Sequence, residues 1–444
     1  MSLITGVPLR KRVFQSGSVT FVGYGLGQAL RFGGNLVLTR LLFPEAFGMM
    51  AILQIVIYAL HMLTDVGIET SIVQKDRGSH PDFLNTAWTI QTLRGLLIWI
   101  GLCFLALPIA HFYHEPKLSG MLVVVGLSSV ISGFNSTKLY TAQRNLEAGR
   151  ITLIELGSSA AGLFCTIILA WLMASVWALV LGNLLTSMMK MLSSHVFLHG
   201  VSNRFRWERD SLNQLRGFGR WIMTSSILTF LSVEGGRLLI SALLDVRQLA
   251  LFTLANTMSL MFWQAIFQLS TKVFFPAYSE VYRTNPRRLE SVLFKSRLIL
   301  MAPSFAIAVI FIFFGTQLMQ LLYDQRYHGS GEMLVVLAAG TLVNFIWGSY
   351  SSAIWAMGKV ATMTGLTTIQ IACQFSAMYF GYHFWGEAGI IFGIALAYWL
   401  IYPAYAYVAH RNGIWHYKLD AVFLMVAVMV VAVAWPRFLL GNIS

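Results

Sequence analysis

Charge is what this sequence has least of. Of 444 residues only 11% are Asp, Glu, Lys or Arg, against 57% hydrophobic; an average soluble domain carries about 25% charged residues. A water-soluble chain of this length would lack the charge to cover its surface, so the sequence reads as an integral membrane protein. Acid is scarcer than base, with 18 Asp plus Glu against 31 Lys plus Arg and a net charge of +13. In a soluble protein that excess would suggest nucleic acid. In a membrane protein it reports topology, because basic residues collect in cytoplasmic loops, and no nucleic-acid partner is expected.

Other absences narrow the chemistry. The three cysteines, Cys103, Cys165 and Cys373, each sit in an apolar run; an odd, separated set gives neither a disulfide framework nor a metal spacing. The ten histidines form no HExxH pattern and no Walker A sequence is present, so neither metal hydrolysis nor ATP hydrolysis is expected. Gly23-Tyr24-Gly25-Leu26-Gly27 imitates a dinucleotide loop, but no strand precedes it; its glycines read as sites of close helix packing. No loop on the outer side exceeds about a dozen residues, which leaves no room for an external catalytic domain. The chain is therefore not expected to be an enzyme, and no cofactor or metal is implied. The apolar segment after the N-terminal residues is too long for a signal-peptide core and contains Arg31, so it reads as a retained first helix.

What the sequence does have is long apolar runs. Thirteen are of spanning length, roughly 18–41, 46–66, 86–110, 118–140, 151–173, 175–198, 217–243, 247–271, 298–322, 332–356, 360–382, 388–410 and 419–437. None alternates as a barrel strand would. With the N-terminus in the cytoplasm, 23 of the 31 basic residues fall on the inner side, Arg297 among them, and 5 on the outer side. That asymmetry predicts the orientation. Only Arg31, Arg94 and Arg237 remain inside spans.

The sixth and seventh spans are separated by a polar connection, and two echoes cross it. Gly33-Gly34-Asn35-Leu36-Val37 in span one is echoed by Gly235-Gly236-Arg237-Leu238-Leu239 in span seven, 202 residues on. Met121-Leu122-Val123-Val124 is echoed by Met333-Leu334-Val335-Val336, 212 residues on. Six spans is an even number, so the copies share one orientation: a parallel repeat. The expected fold is all-α and polytopic, with a six-helix lobe over 1–199, a cytoplasmic linker over 200–216, a second six-helix lobe over 217–410 and an additional helix in 411–444 that either spans as a thirteenth or lies at the interface, the lobes enclosing a central cavity.

Span one carries Thr20, Tyr24, Gln28, Arg31, Asn35 and Thr39 at helical spacing, a polar stripe on one face. An arginine at mid-membrane costs about 2.5 kcal/mol or more against lipid, so the stripe should line a water-filled cleft or meet a partner helix. In the cleft reading Arg31, with Gln28 and Asn35, receives an anionic group, since guanidinium binds phosphate in a bidentate way. Arg94, with Gln91 on the same face, and Arg237 are the other candidates; snorkelling explains Arg94 equally. Glu234 and Arg237 are spaced to pair with one another. Asp65, Glu155 and Glu234 are candidates for ion coupling, because a partly desolvated carboxylate binds a proton more readily.

The segment Thr39-Arg40-Leu41-Leu42-Phe43-Pro44-Glu45-Ala46-Phe47-Gly48 resembles a signature of the polysaccharide transporters, the Wzx-type flippases of the multidrug/oligosaccharidyl-lipid/polysaccharide (MOP) exporter superfamily. Asp65-Val66-Gly67-Ile68 with Gln74-Lys75 is similar to a second block. Phe112-Tyr113-His114-Glu115-Pro116, Gln143-Arg144-Asn145-Leu146-Glu147 and Leu321-Leu322-Tyr323-Asp324 are similar to later ones. The resemblance covers about residues 10–410. It implies a MATE-like MOP flippase fold in the bacterial inner membrane, moving an undecaprenyl-pyrophosphate-linked oligosaccharide by alternating access for O-antigen, capsule or exopolysaccharide. It further implies proton or sodium coupling, membrane lipids as surroundings, and a polysaccharide polymerase with chain-length machinery as partners. Cationic cavity residues in such transporters hold the pyrophosphate, and Arg31 and Arg237 are the positions here that match by location. A drug, metabolite or lipid II exporter of the same superfamily is the alternative, and a membrane polymerase a more distant one.

Overall fold

The computed structural model describes residues 9–74, 76–145 and 147–440. No strand occurs among them. Long apolar runs enforce this, because a helix satisfies its backbone polar groups internally where water is absent. The chain divides into two compact units, Met1–Phe230 and Leu231–Ser444. The first holds α1 (Leu9–Leu41), α2 (Pro44–Leu63), α3 (Ile68–Gln74), α4 (Pro81–Phe112), α5 (Lys117–Gly133), α6 (Lys138–Arg144), α7 (Ala148–Met173), α8 (Trp177–Val196) and the beginning of α9 (Arg209–Leu243). The second holds the remainder of α9, α10 (Val246–Leu269), α11 (Phe275–Thr284), α12 (Leu289–Leu322), α13 (Ser330–Ala356), α14 (Val360–Arg411) and α15 (Tyr417–Leu440).

Among the described residues nine helices are long and apolar enough to cross a membrane, or ten if the α5–α6 pair, bent by 57°, forms one span. The protein is a multi-pass membrane protein. All thirteen predicted segments are helical over most of their length. Segments 360–382 and 388–410 are the two arms of α14, which reverses at Gly386 (φ 60°, ψ −142°). The arms then pack so closely that a Cβ on Gly381 would run into the Gly389 carbonyl oxygen. α1 and α8 are more polar and fall outside the nine.

Three boundaries depart from the sequence reading. The fourth span breaks after Gly133, where Asn135 and Ser136 end the helix and the Ser136 hydroxyl accepts from the Lys138 amide at 3.3 Å. The connection at 200–216 is helical from Arg209 onward. α12 begins at Leu289, so Arg297 lies inside a helix and not in a cytoplasmic loop.

Within the first unit α4 packs on α5, α7 on α8, and α1 on α7. A Cβ on Gly34 would lie 2.6 Å from Leu163 Cδ1 of α7, and one on Gly23 would meet Thr152. In the second unit the echoing Gly235 and Gly236 lie against Phe375 and Gln374 of the first α14 arm, at 2.8 and 2.5 Å to an added Cβ. Phe375 stands 212 residues after Leu163, the offset that separates Met121 from Met333. α13 runs through the middle of the second unit with most of its side chains buried, flanked by α10, α12 and α14.

Candidate functional site

In α1 the small residues Gly23, Gly27 and Gly34 face α7, and an adjacent stripe carries Tyr24, Gln28, Arg31 and Asn35. Gln28 donates to the Tyr24 hydroxyl at 2.9 Å. Arg31 is exposed, its Nε 3.4 Å from the Gly27 carbonyl. Asn35 is half-buried. Thr39 is buried and turns its hydroxyl back to the Asn35 carbonyl at 2.8 Å, so it ends the polar stripe. The Thr20 side chain, Lys75 and Leu146 lie outside the described residues.

In α9, Glu234 and Arg237 pair at 2.9 Å with side chains only 17% and 19% exposed. Arg237 Nε is buried and has no hydrogen-bond partner among the described residues. One guanidinium edge is therefore neutralised while another donor waits for an acceptor.

Arg94 and Asp65 form part of a third cluster. Arg94 Nε donates to Thr64 Oγ1 at 3.1 Å and Nη2 to the His61 carbonyl, closing the end of α2 where main-chain acceptors are left over. Its Nη1 stands 4.0 Å from Asp65 Oδ1. Asp65 accepts from the Gly67 amide and from Ser226 Oγ of α9, both at 2.9 Å. The expectation that Gln91 shares the face of Arg94 is corrected. Gln91 turns to α5, donating to the carbonyls of Ser132, Gly133 and Asn135, which the break in the fourth span exposes. Glu155 is exposed and sits 3.5 Å from Lys190.

The most deeply buried charge is one that sequence reasoning placed in a loop. Arg297 is fully buried and pairs with Asp420 of α15 at 2.7 Å. Asp420 also accepts from the hydroxyls of Tyr350 and Tyr402 at 2.9 and 3.1 Å and from Trp415 Nε1 at 3.2 Å. Arg297 donates further to Ser349 Oγ and the Ile346 carbonyl, at 2.7 and 3.1 Å, and lies over the Tyr350 ring. Every polar atom of the pair is served inside the unit. The arrangement fixes α15 and leaves nothing free to hold a ligand.

Residues 37–332 match the family described as Polysaccharide biosynthesis protein. The chain belongs to that family. Among its curated relatives is the lipopolysaccharide biosynthesis protein WzxC of Escherichia coli (strain K12), 20% identical over 380 residues, with 85% of this chain and 76% of WzxC covered. Among solved structures, the lipid II flippase MurJ in an inward closed conformation superposes with a TM-score of 0.70 at 11% identity, covering 97% of this chain and 94% of that one. An inward-facing MATE family transporter of the MOP superfamily gives 0.68 at 14% identity, covering 88% and 94%. The fold is thus the MATE-like MOP fold that the resemblance implied. The matched region contains the α1 end, the Asp65 cluster, the α9 pair and Arg297, but stops before Asp420.

Nothing in the sequence marks Arg297 and Asp420 as partners, since 123 residues separate them. The available signal was weak: each is a charge at the edge of an apolar run, and two tyrosines and a tryptophan lie within reach only after folding.

Proposed function

We propose that the protein translocates undecaprenyl-pyrophosphate-linked oligosaccharide units across the bacterial inner membrane by alternating access, supplying O-antigen, capsule or exopolysaccharide assembly. Family membership and a flippase-type fold support the reaction class. The observation that carries the reading is the exposed Arg31 on a membrane-length helix, flanked by Gln28 and Asn35. An uncompensated guanidinium there is stable only in a polar passage, and it matches the pyrophosphate in charge and geometry. Arg237, with its open Nε donor, and Arg94 are the further cationic positions proposed to bind substrate.

Asp65, Glu155 and Glu234 are the proposed coupling carboxylates. Each is within ion-pair distance of a base, Arg94, Lys190 and Arg237 respectively, so a proton or sodium ion taken up by the acid would release the base to the substrate. Leaving out Arg297, which is sealed inside its unit, gives 22 inner basic residues against 5, which still supports a cytoplasmic N-terminus. The packing of Gly34 on Leu163 of α7, and of its echo Gly236 on Gln374 of the first α14 arm, supports two six-helix lobes related as a parallel repeat. The flipped unit passes to a polysaccharide polymerase and its chain-length machinery.

The test is complementation of a strain lacking the gene. Arg31→Ala combined with Arg237→Ala should abolish surface polysaccharide at native expression level. Full restoration by the double variant would remove the cationic path.

A further inference from the structure

Residues 201–208 between α8 and α9 form an extended strap whose course is dictated by α4. The Arg204 amide donates to Asn85 Oδ1 at 2.9 Å, the Arg206 amide to Thr89 Oγ1 at 3.1 Å, and the Glu208 amide to Thr86 Oγ1 at 3.1 Å. Asn85, Thr86 and Thr89 are buried, and holding the strap explains why so polar a run begins an apolar helix. Two ion pairs fasten it further, Arg206–Asp82 at 2.8 Å and Arg77–Glu208 at 3.2 Å. These bonds hold the strap's main chain and leave two aromatics largely exposed: Phe205, one side of which rests 4.8 Å from the Trp88 ring of α4, and Trp207 are 65% and 54% exposed. They alternate with arginines, and among the described residues Arg204 and Arg209 have no carboxylate partner.

We infer that this strap is a docking surface for anionic phospholipid at the membrane–water interface, Phe205 and Trp207 entering the headgroup layer while Arg204 and Arg209 bind the phosphates. Two observations fix the occupant as bilayer and not a protein. α4 has 32 residues, hence about 48 Å of length, and outreaches a hydrocarbon core of roughly 30 Å. Its exposed apolar face starts at Leu93 and continues through Leu96 and Leu97, so lipid contact begins about one turn beyond Thr89, where the strap is tied. Tryptophan is enriched at that depth, and arginines beside it are drawn to anionic headgroups. The strap leads directly into α9, so its seating on lipid sets where that helix starts. The inference rests on membrane embedding alone and is independent of the transported substrate.

The test uses the full chain with its native cysteines replaced by serine and a fluorophore on Ser202→Cys, an exposed strap position. The protein is reconstituted into vesicles of phosphatidylcholine alone or mixed with phosphatidylglycerol, and quenching by headgroup-labelled lipid is compared with quenching by aqueous iodide. Phosphatidylglycerol should raise lipid quenching and lower iodide quenching several-fold, high salt should reverse the change, and Arg204→Gln with Arg209→Gln should abolish it. Iodide quenching that is equally strong in both vesicles would leave the strap in water and overturn the inference. Equal lipid quenching in both would overturn headgroup recognition. The wild-type comparison across lipids and salt stands even if the glutamine variant does not fold.

Discussion

Arg297 of α12 and Asp420 of α15 meet at 2.7 Å with side chains 0% and 1% exposed, so the last helix is held by a charge pair sealed from solvent. Removing one partner strands the other as a buried, unpaired ion, which costs about 3–5 kcal/mol. Asp420→Ala should lower the thermal midpoint in detergent sharply. Replacing both residues by apolar ones, Arg297→Met with Asp420→Leu, should recover most of the loss. A double variant no better than the single one would show that the tyrosine hydrogen bonds, and not the charge pair, hold α15.

His416 reports on the same knot from its edge. Nε2 lies 3.0 Å from the Glu290 carbonyl, which makes it the protonated nitrogen, and Nδ1 then faces Arg297 Nη1 at 3.4 Å as an acceptor. Burial and, after it, the nearby Arg297 hold its pKa below the ordinary histidine value. As pH falls past about 6.5 the unfolded chain takes up this proton first, so the stability present above that pH is lost. Thermal midpoints between neutral and mildly acidic pH should therefore fall more steeply for the wild type than for His416→Gln. Parallel curves for the two proteins would remove His416 as the titrating group.

The α14 hairpin depends on a contact between glycines. A Cβ on Gly381 would run into the Gly389 carbonyl oxygen, a backbone atom that cannot swing aside. Gly381→Ala should cost about 1–3 kcal/mol. Gly365, in the same helix but facing open space, is the control: its alanine variant should gain about 0.5–1 kcal/mol from the helix preference. Thermal unfolding of both variants measures the contrast.

The Asp65–Arg94 contact is longer and about a quarter exposed, so its coupling should be weaker than that of Arg297 with Asp420. Asp65→Ala still leaves the Gly67 amide and the Ser226 hydroxyl without their acceptor, a loss of about 1–3 kcal/mol. In a double-mutant cycle with Arg94→Ala the interaction energy should be below about 1 kcal/mol, the range of exposed pairs. A value matching that of the buried pair would place Asp65 in a drier site than its exposure indicates.

Membrane embedding, the helical segments and the polar stripe of α1 were legible in the sequence because each depends on local composition and period. A run of about 20 apolar residues admits one solution in a bilayer, and residues three or four apart share a face whatever they pack on. The family blocks from Thr39 to Asp324 were legible for the same reason: they are contiguous.

What only the tertiary structure decided concerns pairs far apart in the chain. Arg297 read as a loop charge because its neutralising partner stands 123 residues away. Gln91 and Arg94 read as one face, yet the broken end of α5 draws one while the end of α2 draws the other. The polar Asn85, Thr86 and Thr89 had no reason until the 201–208 strap lay along them. The sequence by itself determined that charge is rare here and helices are inevitable. Which of those rare charges are sealed by partners and which stay open depends on three-dimensional neighbours, because the cost of a buried ion is set by the groups that surround it.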